Sequence, residues 1–304
     1  MAVLTTFAHD SAGVGEVVQP AAWWSGFWPP DWLALVSVLL LAVVYLVGVR
    51  SLRRRGDHWS IGRTSAFLFG GVGSLFFATQ GPLAEFDAVF LWTHMMQHML
   101  LSMVAPIFFA LGAPITLALR TLPPAPRSVL LKLLHSRFVK VITFPVIAGA
   151  IYVLNPWLLY FTSYYEATLT NPILHYFNHV HFVMVGTIWV FALIGIDPMP
   201  RMGYPVRLLA VFATLPFHAF LGVTILNEST NIARDYYSDI VRDWGPTVAQ
   251  DQQIAGGILW VAGDVVGLLL FIVLMVQWSR SSEREARRID REFDRQDASK
   301  SRLG

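Results

Sequence analysis

The sequence predicts an all-α polytopic membrane protein of seven transmembrane helices, N-terminus outside and C-terminus cytoplasmic, lodged in the cell membrane. Three observations carry that reading. Hydrophobic residues make up 55% of the chain and charged residues only 14%, where a soluble domain carries about 25% charged residues. The charges gather into short runs between long apolar stretches, the pattern of repeated membrane crossing. The basic residues fall almost entirely in alternate connections.

The apolar stretches lie at 32–49, 61–80, 89–111, 138–154, 173–196, 206–226 and 254–278. Each holds about 17 to 25 residues, enough for roughly 30 Å of hydrocarbon at 1.5 Å per residue. Pro106, Pro145 and Pro216 fall inside them, where neighbours can satisfy the carbonyls that a proline frees. The chain divides into an external tail at 1–30, a membrane bundle at 31–279 and a charged cytoplasmic tail at 280–304. The N-terminal tail lacks the basic start and early apolar core of a cleaved signal peptide. Its end, "AAWWSGFWPPDW", reads as an aromatic belt at the membrane surface. The C-terminal "SRSSEREARRIDREFDRQD" reads as a solvated helix.

Orientation follows from lysine and arginine. The first, third and fifth connections and the C-terminal tail hold 20 of the 22 basic residues, and only Arg234 and Arg242 lie opposite. The richer side is cytoplasmic by the positive-inside rule. A net charge of +2 is too small to suggest a nucleic-acid partner. The absence of cysteine excludes disulfides, zinc fingers and thiolate copper sites.

That orientation gathers six histidines into one layer. His94 and His98 in "WTHMMQHMLL", His175, His179 and His181 in the fifth stretch, and His218 in the sixth all fall roughly 4 to 14 Å below the outer surface, at 1.5 Å per residue. His94 and His98 share a helix face, as do His175 and His179, with Asn178 nearby. His181 points away from that pair and reads as a packing residue. Ionisable residues inside a bilayer are expensive and mark functional sites. Imidazole suits copper, zinc or iron, and thioether favours Cu(I). The expected metal ligands are therefore His94, His98, His175, His179 and His218, with Met95, Met99 and Asp264 in support. Met96 and Met103 read as packing. In the last stretch, Asp251, Gln252 and Gln253 stand at the outer mouth. Gly256, Gly257, Gly263 and Gly267 permit close helix packing. Asp264, near mid-membrane, is expected to be protonated or paired.

The segments "HMMQHMLLSMVAPIFFALGAPITLALR", "NHVHFVMVGTIW" and "DQQIAGGILWVAGD", in that order, resemble the CtaG family of cytochrome c oxidase assembly factors over roughly residues 60–280. The resemblance implies seven spans and a part in building haem-copper terminal oxidases. His94, His98 and His179 are the histidines that match the family pattern; His175, His181 and His218 come from geometry alone. Together the residues and the resemblance lead to an assembly factor that holds or delivers copper in the outer leaflet. Its expected partners are the lipid bilayer, subunits of a terminal oxidase and a copper donor on the outer side. Two other readings stand beside it: a haem-binding membrane electron carrier, and a metal-free assembly scaffold. With no nucleophile–base set and no phosphate loop, no enzyme is expected.

Overall fold

The computed structural model describes residues 30–198, 202–242 and 244–300, with side chains to 294. The expected external tail, nearly all of the aromatic belt, His9, Arg201 and residues 301–304 lie outside the described residues. The described residues form helices and connections without strands. Six helices are long and apolar enough to cross a membrane, and up to seven if one bent pair counts as a crossing. They make a multi-pass bundle whose rim is apolar: Val36, Leu40, Val44 and Val47 of the first helix and Phe212, Phe220, Val265 and Leu269 of the last two point outward.

Helix α1 spans Trp32–Arg54, begun by the Asp31 side chain, which accepts from the Ala34 amide at 3.0 Å. The second crossing is α2 (Ile61–Ser65), a π-helical segment at Ala66–Val72 and α3 (Gly73–Thr79), with the short α4 (Pro82–Phe86) after it. The third is α5 (Leu91–Met99), a π segment at Leu100–Val104, and α6 (Ala105–Gly112). Ala113 then turns left-handed (φ 49°) and α7 runs Pro114–Thr121. The carboxylate of Asp197 accepts from Ile115 N at 3.2 Å and Thr116 N at 2.7 Å, satisfying amides that a new helix leaves open.

The fourth crossing departs from the expected 138–154. After α8 (Pro124–Leu134), α9 stops at Arg137–Ile142 and α10 begins afresh at Pro145–Tyr160. Proline pushes the residue before it out of the helical region, and Phe144 is extended (ψ 122°). Pro145 thus starts a helix, whereas Pro156 and Pro216 lie inside theirs. Helix α11 (Tyr164–Thr170) leaves α10 at 69°, so the pair is either a broken crossing or a re-entrant loop. Helices α12 (Pro172–Ile194), α13 (Tyr204–Asn227) and α14 (Arg234–Asp239) follow, and α15 runs unbroken from Val248 to Lys300. Arg207 is buried in the first turn of α13 and donates to the Leu193 carbonyl at 2.7 Å.

Small residues set the closest helix approaches, as expected where apolar burial alone does not drive association. A Cβ on Gly222 would meet the Gly256 carbonyl at 2.8 Å, and Gly263 and Gly267 face His218 and Leu215. Gly257, also expected to pack, faces open space. Gly186 of α12 lies against the Ser102 carbonyl, for which Pro106 offers no N–H. Gly186→Ala would force those backbones apart. It is expected to destabilise the bundle by about 1–3 kcal/mol, read as a lower unfolding temperature in detergent.

Candidate metal centre

Two helix starts bring the chemistry together. Asn171 caps α12, its side-chain oxygen accepting from the Ile173 and Leu174 amides, with Pro172 in the first turn. That start presents His175 and His179 one turn apart. Helix α5 has no cap of its own. Instead Asp251, from α15, accepts from Leu91 N at 3.0 Å and Trp92 N at 2.9 Å, and its carboxylate also holds Arg242 at 2.9 Å. A carboxylate 160 positions away therefore fixes the start of the helix that carries His94 and His98.

The imidazoles meet edge to face. Ring centroids lie 4.1 Å apart for His94 and His98, 5.6 Å for His94 and His175, and 4.3 Å for His175 and His179. His98 and His179 are 6.1 Å apart. The paired spacing of four thus places four of the five expected histidines in one cluster. Within it, their bonding differs. The Asn178 amide donates to His98 Nε2 at 3.5 Å, which leaves the proton on Nδ1 for the Tyr160 oxygen at 2.7 Å. The Tyr160 hydroxyl then donates to Met95 Sδ at 3.5 Å. Gln97 donates to the Ala78 carbonyl and accepts from His179 Nε2 at 2.9 Å.

His94 is different. It is wholly buried, and its ring nitrogens have no well-formed hydrogen bond among the described residues beyond an interaction with the Asp87 backbone. Beside it stands Asp87, from the connection between the second and third crossings, paired with His175 Nε2 at 3.1 Å. One ligand atom from each of Asp87, His94 and His175 lies within 4.8 Å of the other two. Burial pushes the Asp87 carboxyl up, but the charge and hydrogen bond of His175, with His94 and His179 behind, bring it down to about 2. The carboxylate is therefore ionised at neutral pH.

Besides His98 and His179, four expected participants lie outside the group of Asp87, His94 and His175. His218 lies against Tyr152 and Gly263 and lines two small cavities walled by the third crossing, α10, α12, α13 and α15, one of them shared with Tyr160 and Phe182. Asp264 accepts from Trp260 Nε1 at 2.8 Å one turn back on its own helix, so it is paired locally. Met99 lines the cavity beside His218, and Met95 Sδ is engaged by Tyr160. The compact donor set is thus nitrogen and oxygen, harder than the expected histidine and methionine. His181, read as packing, bonds to Asn155 at 2.7 Å. Asp87, Tyr160 and Gln97 were not singled out from the sequence.

Residues 43–281 match the family described as cytochrome c oxidase caa3 assembly factor (Caa3_CtaG). The chain belongs to this family. Among curated proteins, Uncharacterized protein Mb0105 of Mycobacterium bovis and Uncharacterized protein MT0111 of Mycobacterium tuberculosis are each 36% identical to it over 275 residues. Uncharacterized protein ML1998 of Mycobacterium leprae is 35% identical over 275 residues. Each alignment covers 88% of this chain and 42% of the relative, so the chain spans less than half the length of these relatives. No solved structure matches it.

Proposed function

We propose that this chain is an assembly factor that holds copper transiently at Asp87, His94 and His175 and supplies it to a caa3-type cytochrome c oxidase. The observation that carries the proposal is His94. A buried polar atom without a partner costs about 1–3 kcal/mol, and here an imidazole with no well-formed hydrogen bond among the described residues beyond the Asp87 backbone stands beside an ionised carboxylate and a second imidazole. A bound cation supplies the missing partner. Nitrogen and oxygen donors suit a divalent first-row ion, and Cu(II) binds such sets more tightly than zinc or iron(II). His98 and His179, held by Tyr160, Asn178 and Gln97, support the ligands from behind.

The positive-inside reading would put the cluster in the outer half of the membrane. The partners are then oxidase subunits and a copper donor on that side. An open three-donor set suits transfer better than a closed site. The haem reading has less support: His175 and His179 both line their cavity from one helix, and among the described residues no histidine faces them across it.

Oxidase activity, haem spectrum and copper content in a strain lacking this protein test the proposal. Oxidase polypeptide and haem are expected to persist with copper depleted, His94→Ala to reproduce the defect, and added copper to restore activity in part. Degraded oxidase subunits, a normal His94→Ala strain and no effect of copper would establish the scaffold reading instead.

A further inference from the structure

A cavity of about 440 Å³ adjoins the metal centre, walled by α1, α4, α5, α11 and α12. Asp31, Glu85, Thr170 and Pro172 lie along it at or near helix ends, towards the end of the bundle that carries the histidines. The hydroxyls of Ser37 and Tyr176 meet at 2.7 Å and tie α1 to α12, about 9 Å further along α1 than Asp31. At the inner wall stand Asp87, His175, His179 and Gln97. His94 lies behind that wall, its ligand atom within 4.8 Å of those of Asp87 and His175. Among the described residues the lining holds three carboxylates, those of Asp31, Glu85 and Asp87, and no lysine or arginine.

We infer that this cavity is an electrostatic funnel through which a free divalent copper ion reaches the centre from the bundle end. The inference rests on the copper reading above and adds its route and loading rate. Apolar walls such as Leu33, Leu169 and Ile173 keep the local dielectric low, so the field of the carboxylates is concentrated inside. Such clefts raise the local concentration of counter-ions and accelerate association by about 10- to 1,000-fold. The buried imidazole of His94, with no well-formed hydrogen bond among the described residues beyond the Asp87 backbone, gives the ion a destination beyond the acidic mouth. Glu85 and Asp31 act on approach, before ligation by Asp87, His94 and His175.

Stopped-flow mixing of the full chain in detergent with buffered Cu(II), at two ionic strengths, tests this. The double variant Glu85→Gln with Asp31→Asn keeps side-chain shape, and asparagine still caps α1. Association is expected to slow on the order of 10-fold at low salt, and its dependence on salt to flatten, with the copper stoichiometry unchanged. Copper binding to the variant at the native rate and salt dependence would overturn the funnel and leave the metal centre standing. A native chain that binds no copper would overturn both.

Discussion

Copper(II) binding by the full chain is expected to weaken at least about 100-fold when His94 becomes alanine. Loss of a group that merely supports a ligand costs about 10- to 100-fold in metal affinity, and His94 is placed as a ligand. Asp87→Asn should produce a loss of the same order, because it removes the charge and one oxygen donor. His181→Ala is the matched control: that imidazole is also in α12 but bonds to Asn155, outside the cluster. Equilibrium dialysis of the three variants beside the native chain reads the effect, with thermal unfolding recorded for each. A His94→Ala chain that folds normally and binds copper as tightly as the native one would remove His94 from the site.

The second large effect concerns a residue that touches no metal ligand. Asp251→Ala is expected to destabilise the bundle by about 3–5 kcal/mol, the usual penalty for removing one member of a buried ion pair. Arg242 would be left charged and buried over the Phe90 and Tyr237 rings, and the Leu91 and Trp92 amides would lose their acceptor. Because those amides start α5, copper affinity should fall as well, through displacement of His94. Asp251→Asn keeps an acceptor for the amides, so it should lose stability but retain more copper binding than the alanine variant. Unfolding temperature and dialysis measured together separate the two consequences. Equal copper affinity in Asp251→Ala and the native chain would show that the α5 start does not set the site.

Much of this architecture was legible because a bilayer imposes simple rules. Length and apolarity mark the crossings, and the i,i+4 spacing of His94 with His98 and of His175 with His179 brings four imidazoles together. The fourth crossing was misplaced because hydropathy is continuous across Phe144 and Pro145, whereas backbone geometry is not. Its true end, Tyr160, supplies the hydroxyl that fixes His98. The direction a residue faces around the bundle was not legible: His218 packs on Tyr152 and Gly263. Asp87 escaped notice because connections are polar for many reasons, and only packing shows that this carboxylate turns inward onto His175. The link from Asp251 to the start of α5 spans 160 positions and leaves no local trace in the sequence.

The central claim is that Asp87, His94 and His175 together hold one metal ion. Pulsed electron paramagnetic resonance of the full chain loaded with one equivalent of Cu(II) tests it most directly, since the remote nitrogen of each coordinated imidazole modulates the echo. Two coordinated imidazoles are expected in the native chain and one in His94→Ala or His175→Ala. Modulation absent from the native chain, or unchanged in both variants, would contradict the assignment.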